Sequence, residues 1–206
     1  HCVVPVQPTR RLLPHEAAVI AFDTETSGWV KHEPTSNLVL QVAWAMCDKD
    51  GTLIKGHERY CQLPKGVVIT GMARNVHKIS LDTVRTRGVN TKRELEAFCD
   101  MVAEAKLCGV TVVAHNAAFD VQAINRTLQR WGTSRSLDEG DVFCTMKRSG
   151  RVLGLKGASG RARNPKNSEL YTILYKQQPP GVLHTALADS LITAKNYIGG
   201  QTKRWW

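Results

Sequence analysis

No uninterrupted apolar run in this 206-residue chain approaches the roughly 18 residues that a membrane helix needs. The N-terminal stretch also has no apolar segment of the kind a secretory signal requires. No two cysteines have C-x-x-C spacing and no cysteine–histidine cluster has zinc-finger spacing. The six cysteines (Cys2, Cys47, Cys61, Cys99, Cys108 and Cys144) therefore read as reduced thiols in an intracellular compartment, cytoplasm or nucleus, with a viral source equally compatible. Internal repeats and an inter-domain linker are absent too. Acidic residues are scarce: 18 Asp and Glu stand against 28 Lys and Arg, a net charge of +10. That excess favours a polyanionic partner, nucleic acid or an acidic membrane surface. What is present, 42% hydrophobic residues, is near the globular norm and excludes disorder over most of the length.

The length suits one domain with short arms. Residues 1–16 hold three prolines and the adjacent Arg10 and Arg11, and read as an extended N-terminal arm. Residues 17–200 form the expected domain, and 201–206 a basic and aromatic tail ending in Trp205-Trp206, read as frayed or packed against a partner. The chain opens on His1 rather than methionine, which points to a processed product or a piece of a longer protein.

Five strand candidates appear. Ala17 to Phe22 is a continuous apolar run suited to a buried strand. Asn37 to Cys47 and Thr52 to Leu63 follow, joined by the turn signal Asp48-Lys49-Asp50-Gly51. Val110 to Ala114 and Asp141 to Met146 complete the set. Helices are expected around Met72 to His77, after a capping box at Thr91–Glu94, after Asn116 as cap with a Val121, Ile124, Leu128 and Trp131 stripe, from Ser168 to Tyr175, and on a Leu187, Leu191, Ala194 and Ile198 stripe. Three strands followed by strands alternating with helices predict an α/β fold: a mixed five-stranded sheet, antiparallel on one side, parallel on the other, flanked by helices. Between Lys147 and Lys166 lie seven basic residues, four glycines and no acid, which reads as a mobile loop and a candidate phosphate guide.

Three clusters carry candidate chemistry. In Phe22-Asp23-Thr24-Glu25-Thr26-Ser27-Gly28 the period of a strand points Asp23 and Glu25 the same way. Two unit charges about 4 Å apart repel by about 4 kcal/mol at an effective dielectric of about 20, and a divalent cation removes that penalty. A turn that leaves both acids in solvent is the plainer alternative. In His115-Asn116-Ala117-Ala118-Phe119-Asp120 the acid falls in the first turn of a helix, where complementing the helix dipole is a sufficient reason for it. The parallel crossover brings that helix start to the sheet edge that holds Asp23, where open α/β sheets place their sites. In His184-Thr185-Ala186-Leu187-Ala188-Asp189 a loop histidine precedes a helical aspartate that lies off the apolar stripe.

Together FDTETSG, HNAAFD and HTALAD resemble, in order, the three motifs of the DEDDh branch of 3′-to-5′ exonucleases, the proofreading-exonuclease-like members of the ribonuclease-H-like superfamily. LVLQVAWAM and NVHKI are weaker echoes, and the likeness spans about residues 17–198. It implies a ribonuclease-H-like sheet and hydrolysis of DNA or RNA from single-stranded 3′ ends to nucleoside 5′-monophosphates, with no membrane partner. Asp23, Glu25, Asp120 and Asp189 would hold two divalent cations, Mg²⁺ or Mn²⁺, and His184 would be the general base. Thr26, Ser27 and Asn116 would contact the terminal nucleotide by analogy. A non-catalytic nucleic-acid-binding module of the same fold, within a larger nuclease or polymerase assembly, is the alternative.

Overall fold

The computed structural model describes residues 13–28, 36–180 and 185–206. Its centre is a five-stranded sheet of β1 (Val19–Thr26), β2 (Val39–Cys47), β3 (Leu53–Tyr60), β4 (Thr111–Ala114) and β5 (Phe143–Cys144), in the spatial order β3-β2-β1-β4-β5. β1 pairs antiparallel with β2, and β2 with β3, while β1 pairs parallel with β4, and β4 with β5. The mixed sheet expected from element order is therefore the one observed. Asp48 closes the β2–β3 turn by accepting from the amides of Asp50 and Thr52 at 2.9 and 2.8 Å.

Seven helices surround the sheet among the described residues: α1 (Gly71–His77), α2 (Leu81–Arg87), α3 (Thr91–Cys108), α4 (Ala117–Arg130), α5 (Thr145–Leu153), α6 (Asn167–Tyr175) and α7 (Ala186–Thr202). The period-2 alternation of β1 divides the core. Ile20 and Phe22 face Leu95, Phe98 and Val102 of α3 and Val121, Ile124 and Leu128 of α4. Val19 and Ala21 join the opposite layer, with Ala194 and Tyr197 of α7. None of the helices is long and apolar enough to cross a membrane among the described residues.

Several local expectations need correction. Asn90, not Thr91, caps α3, accepting from the Arg93 amide at 3.0 Å. The buried Thr91 hydroxyl donates instead to Gln62 O at 2.6 Å, and Glu94 meets His57 rather than closing a capping box. α2 carries too weak an apolar pattern to stand out in the sequence; Ser80 starts it by accepting from the Thr83 amide at 3.0 Å. The fifth strand shrinks to two residues because a 3₁₀ turn takes up Glu139–Asp141 and α5 begins at Thr145. The basic stretch is not all loop: Lys147, Arg148 and Arg151 ride on α5, which ends at Gly154 with φ +57°. Asn116 occupies the cap position of α4 in the left-handed region, φ 75°, without a side-chain capping bond. The terminal aromatics are not frayed either. Trp206 packs on Phe143 and Tyr197 and donates its indole N–H to Tyr197 O at 3.1 Å.

Candidate active site

β1 ends as the first motif. Asp23 and Glu25 share the face of the sheet covered by α7, and Asp189 sits in the first turn of that helix. One carboxylate oxygen from each of the three lies within 4.8 Å of the others. Asp120 approaches from the opposite layer. It is 2% exposed and meets Thr24, the residue between the two strand acids: Thr24 N and Oγ1 both donate to Asp120 Oδ1, at 3.0 and 2.7 Å. The four acids of the three motifs thus line one cleft of about 280 Å³, together with His115, Asn116 and Phe119 of the second motif. A larger cleft of about 530 Å³ at the β5 edge holds Glu139 and Asp141, but each is already paired with a lysine.

The electrostatics are those of an uncompensated acidic site. Burial, and then repulsion from Asp120, Glu25 and Asp189, hold the Asp23 carboxyl well above the usual aspartate range. Burial, then the charges of Asp189 and Asp120, push Glu25 up to about 8. Asp120 is pushed up to about 7 by burial, against the opposing pull of its bonds from Thr24. His115 donates Nε2–H to Pro165 O at 3.1 Å, and its Nδ1 lies 2.9 Å from Thr145 Oγ1. Burial lowers it to about 4, so it is neutral at physiological pH.

The scaffold around the acids is hydrogen-bonded at each corner. Gly28 closes the first motif with φ +86°, where a Cβ would stand 2.1 Å from Thr70 Oγ1 at the start of α1. His77 at the end of α1 accepts from the Ile79 amide at 2.9 Å, so its Nε2–H donates to Thr26 O at 3.2 Å and ties the helix to the strand end. Asn167 Nδ2 donates to Asp189 O at 3.1 Å and to Thr193 Oγ1 at 3.0 Å, while its Oδ1 accepts from Asn196 at 2.8 Å. Glu58 of β3 accepts from the Leu187 amide at 3.1 Å and anchors the start of α7.

Of the residues singled out in the sequence, Asp23, Glu25, Asp120, Asp189 and Asn116 meet in the cleft. Thr26 and Ser27 do not line it: both are buried, and Ser27 Oγ accepts from the Leu38 amide at 3.0 Å and Thr26 Oγ1 from the Gly28 amide at 3.3 Å. His184 lies outside the described residues. His77 entered the sequence reading only within the NVHKI echo and Lys166 only as one of the seven basic residues, and Thr24, Glu58 and Asn167 were passed over. Thr24 had a signal, since it alternates with the two acids on β1; the others are brought in by tertiary contacts alone.

Residues 20–197 match the RNase T exonuclease family. No curated protein sequence matches the chain. Among solved structures, the chain is similar to a 3′-exonuclease described for 3′-end specific recognition of histone mRNA stem-loop, with 12% identity, 90% of this chain and 81% of that chain covered, and a TM-score of 0.67. It is similar also to the nuclease domain of 3′hExo, a DEDDh family member, bound to rAMP: 12% identity, 92% and 94% covered, TM-score 0.65. Escherichia coli exonuclease I in complex with a dT13 oligonucleotide gives 15% identity and a TM-score of 0.69, with 91% of this chain but only 42% of that chain covered. At these identities the likeness carries the fold, which is ribonuclease-H-like. With the family match spanning most of its length, the chain belongs to the RNase T exonuclease family and is an exonuclease enzyme.

Proposed function

We propose that the protein is a divalent-metal-dependent 3′-to-5′ exonuclease that removes nucleoside 5′-monophosphates from single-stranded 3′ ends of DNA or RNA. The observation that carries this reading is the meeting of Asp23, Glu25 and Asp189 oxygens within 4.8 Å, with Asp120 held beside them by Thr24. The donor set fits the metals: hard carboxylate oxygens, already mutually repelling, with no thiolate among the described residues that line the cleft, suit Mg²⁺ or Mn²⁺ rather than zinc. Asp23, Glu25, Asp120 and Asp189 would hold two such ions. When bound, the ions supply positive charge against the charge that develops on the phosphodiester and make water more acidic.

The chain's own residues do the rest. His184, on the segment leading into α7, takes the proton from the attacking water. Phe119 and Val76 line the cleft as apolar surfaces beside the acids, where a terminal base can rest. Asn116 contacts the terminal nucleotide, and Thr26 and Ser27 shape the loop beneath it. The excess of basic residues favours the polyanion as a whole.

Two 5′-labelled single-stranded oligonucleotides of one sequence, DNA and RNA, incubated with Mg²⁺ or with EDTA, test the reading. A ladder shortening from the 3′ end with Mg²⁺ and abolished by EDTA is the expected result, and the faster substrate identifies the sugar preference. Binding of both without cleavage, in Mn²⁺ as well as Mg²⁺, overturns it.

A further inference from the structure

The seven basic residues between Lys147 and Lys166 are not equivalent in the fold. Lys147 Nζ is paired with Glu139 at 2.7 Å, Arg148 lies over the Phe143 ring at 5.5 Å, and Arg163 holds both oxygens of Glu169 at 2.7 Å. None of these three lines the carboxylate cleft, whereas Lys166 does, beside Asn167 and Ser168. Lys166 forms no salt bridge among the described residues. With His115 kept neutral, it is the one cationic side chain among the described residues that line this cleft.

Its backbone is fixed although its side chain is exposed. Pro165 before it is buried, with its carbonyl held by His115, and the Lys166 amide donates to Glu169 Oε2 at 3.2 Å. The backbone thus holds Lys166 at the rim of the cleft. Four carboxylates and two divalent cations cancel in charge, which leaves the negative charge of an incoming phosphodiester without a counterpart on the protein. From this placement we infer that Lys166 grips a substrate phosphate at the mouth of the cleft, an inference that rests on the exonuclease reading above. Lys166, rather than the basic stretch as a whole, makes the phosphate contact nearest the chemistry.

The test uses the full chain. Binding of a fluorescent single-stranded oligothymidylate is followed by anisotropy in Mg²⁺ across a KCl series, in an Asp23→Asn background that prevents turnover. Lys166→Gln is expected to lower the slope of log K against log [KCl] by about 0.7, the value for one phosphate contact on a single strand. Lys166→Arg keeps the slope, as does Lys49→Gln on the β2–β3 turn. In the active protein, Lys166→Gln is expected to raise KM about tenfold, the scale of one charged hydrogen bond, with kcat changed far less. A Lys166→Gln slope and KM equal to wild type overturn the inference. If wild type cleaves neither DNA nor RNA, the exonuclease reading fails separately, and the slope still decides the contact.

Discussion

Thr24 stands between Asp23 and Glu25 on β1 and donates twice to Asp120, through its amide at 3.0 Å and its hydroxyl at 2.7 Å, both to Oδ1. Alternation along the strand sends the two acids toward α7 and Thr24 toward α4, so one three-residue segment positions carboxylates from both layers. Thr24→Val keeps the shape and the amide bond but removes the hydroxyl donor. It is expected to weaken divalent-metal activation by about 10- to 100-fold, the usual effect of losing a hydrogen bond behind a metal ligand, while Thr24→Ser stays near wild type. Activity measured against Mn²⁺ concentration for the three proteins checks this.

Stability of the metal-free protein follows from the raised carboxyls. Glu25 at about 8 and Asp120 at about 7 in the folded chain, with Asp23 raised too, titrate near 4 when unfolded. Between those values the folded state binds more protons than the unfolded one. The contribution is therefore fully present below about pH 4 and is lost as pH rises through about 7 to 8. Tm in EDTA is expected to fall from about pH 5 to about pH 8.5, and Mg²⁺ is expected to raise Tm more at the higher pH, because metal and protons compete for the same oxygens. Thermal melts with and without Mg²⁺ across that range read both effects.

His184 is assigned a proton-transfer role, not a metal-holding one. His184→Ala is then expected to lower kcat by about 10²- to 10⁴-fold and leave Mn²⁺ affinity close to wild type. Single-turnover cleavage of a labelled oligonucleotide and direct Mn²⁺ titration separate the two quantities.

Trp206 packs half-buried against the folded core. It closes the α7 face of the sheet over Phe143 and Tyr197, and Gly200 admits it: a Cβ there would lie 1.9 Å from the indole ring. Trp206→Ala is expected to cost about 1.5–3 kcal/mol, from lost apolar burial. That corresponds to a Tm drop of roughly 3–12 °C, measurable by calorimetry.

Much of this was legible in the sequence for identifiable reasons. Asp23 and Glu25 declare themselves because a strand's period of two is rigid, and the order of strands and helices fixes which edges can be parallel. Asp120 and Asp189 were readable through their motifs. What stayed hidden depends on contacts distant in the chain. Asn167 reaches Asp189 across 22 residues, His77 reaches Thr26 across 51, and Glu58 reaches Leu187 across 129. No local pattern announces such bonds. The glycines between 147 and 166 suggested a loop, yet Gly150 sits within α5, whose amphipathic sequence and packing against α7 outweigh one poor helix former. Thr91 looked like a cap, and Asn90 one residue earlier took that role because the Thr91 hydroxyl is buried against Gln62.

The central claim, that the three motifs build one divalent-metal site, is tested most directly by calorimetric titration of the EDTA-stripped protein with Mn²⁺. The account predicts two ions bound per wild-type chain, and weakened or single-ion binding in Asp189→Asn and in Asp120→Asn, with all proteins folded by circular dichroism. Absence of saturable Mn²⁺ binding in wild type, or binding unchanged in both variants, would contradict it.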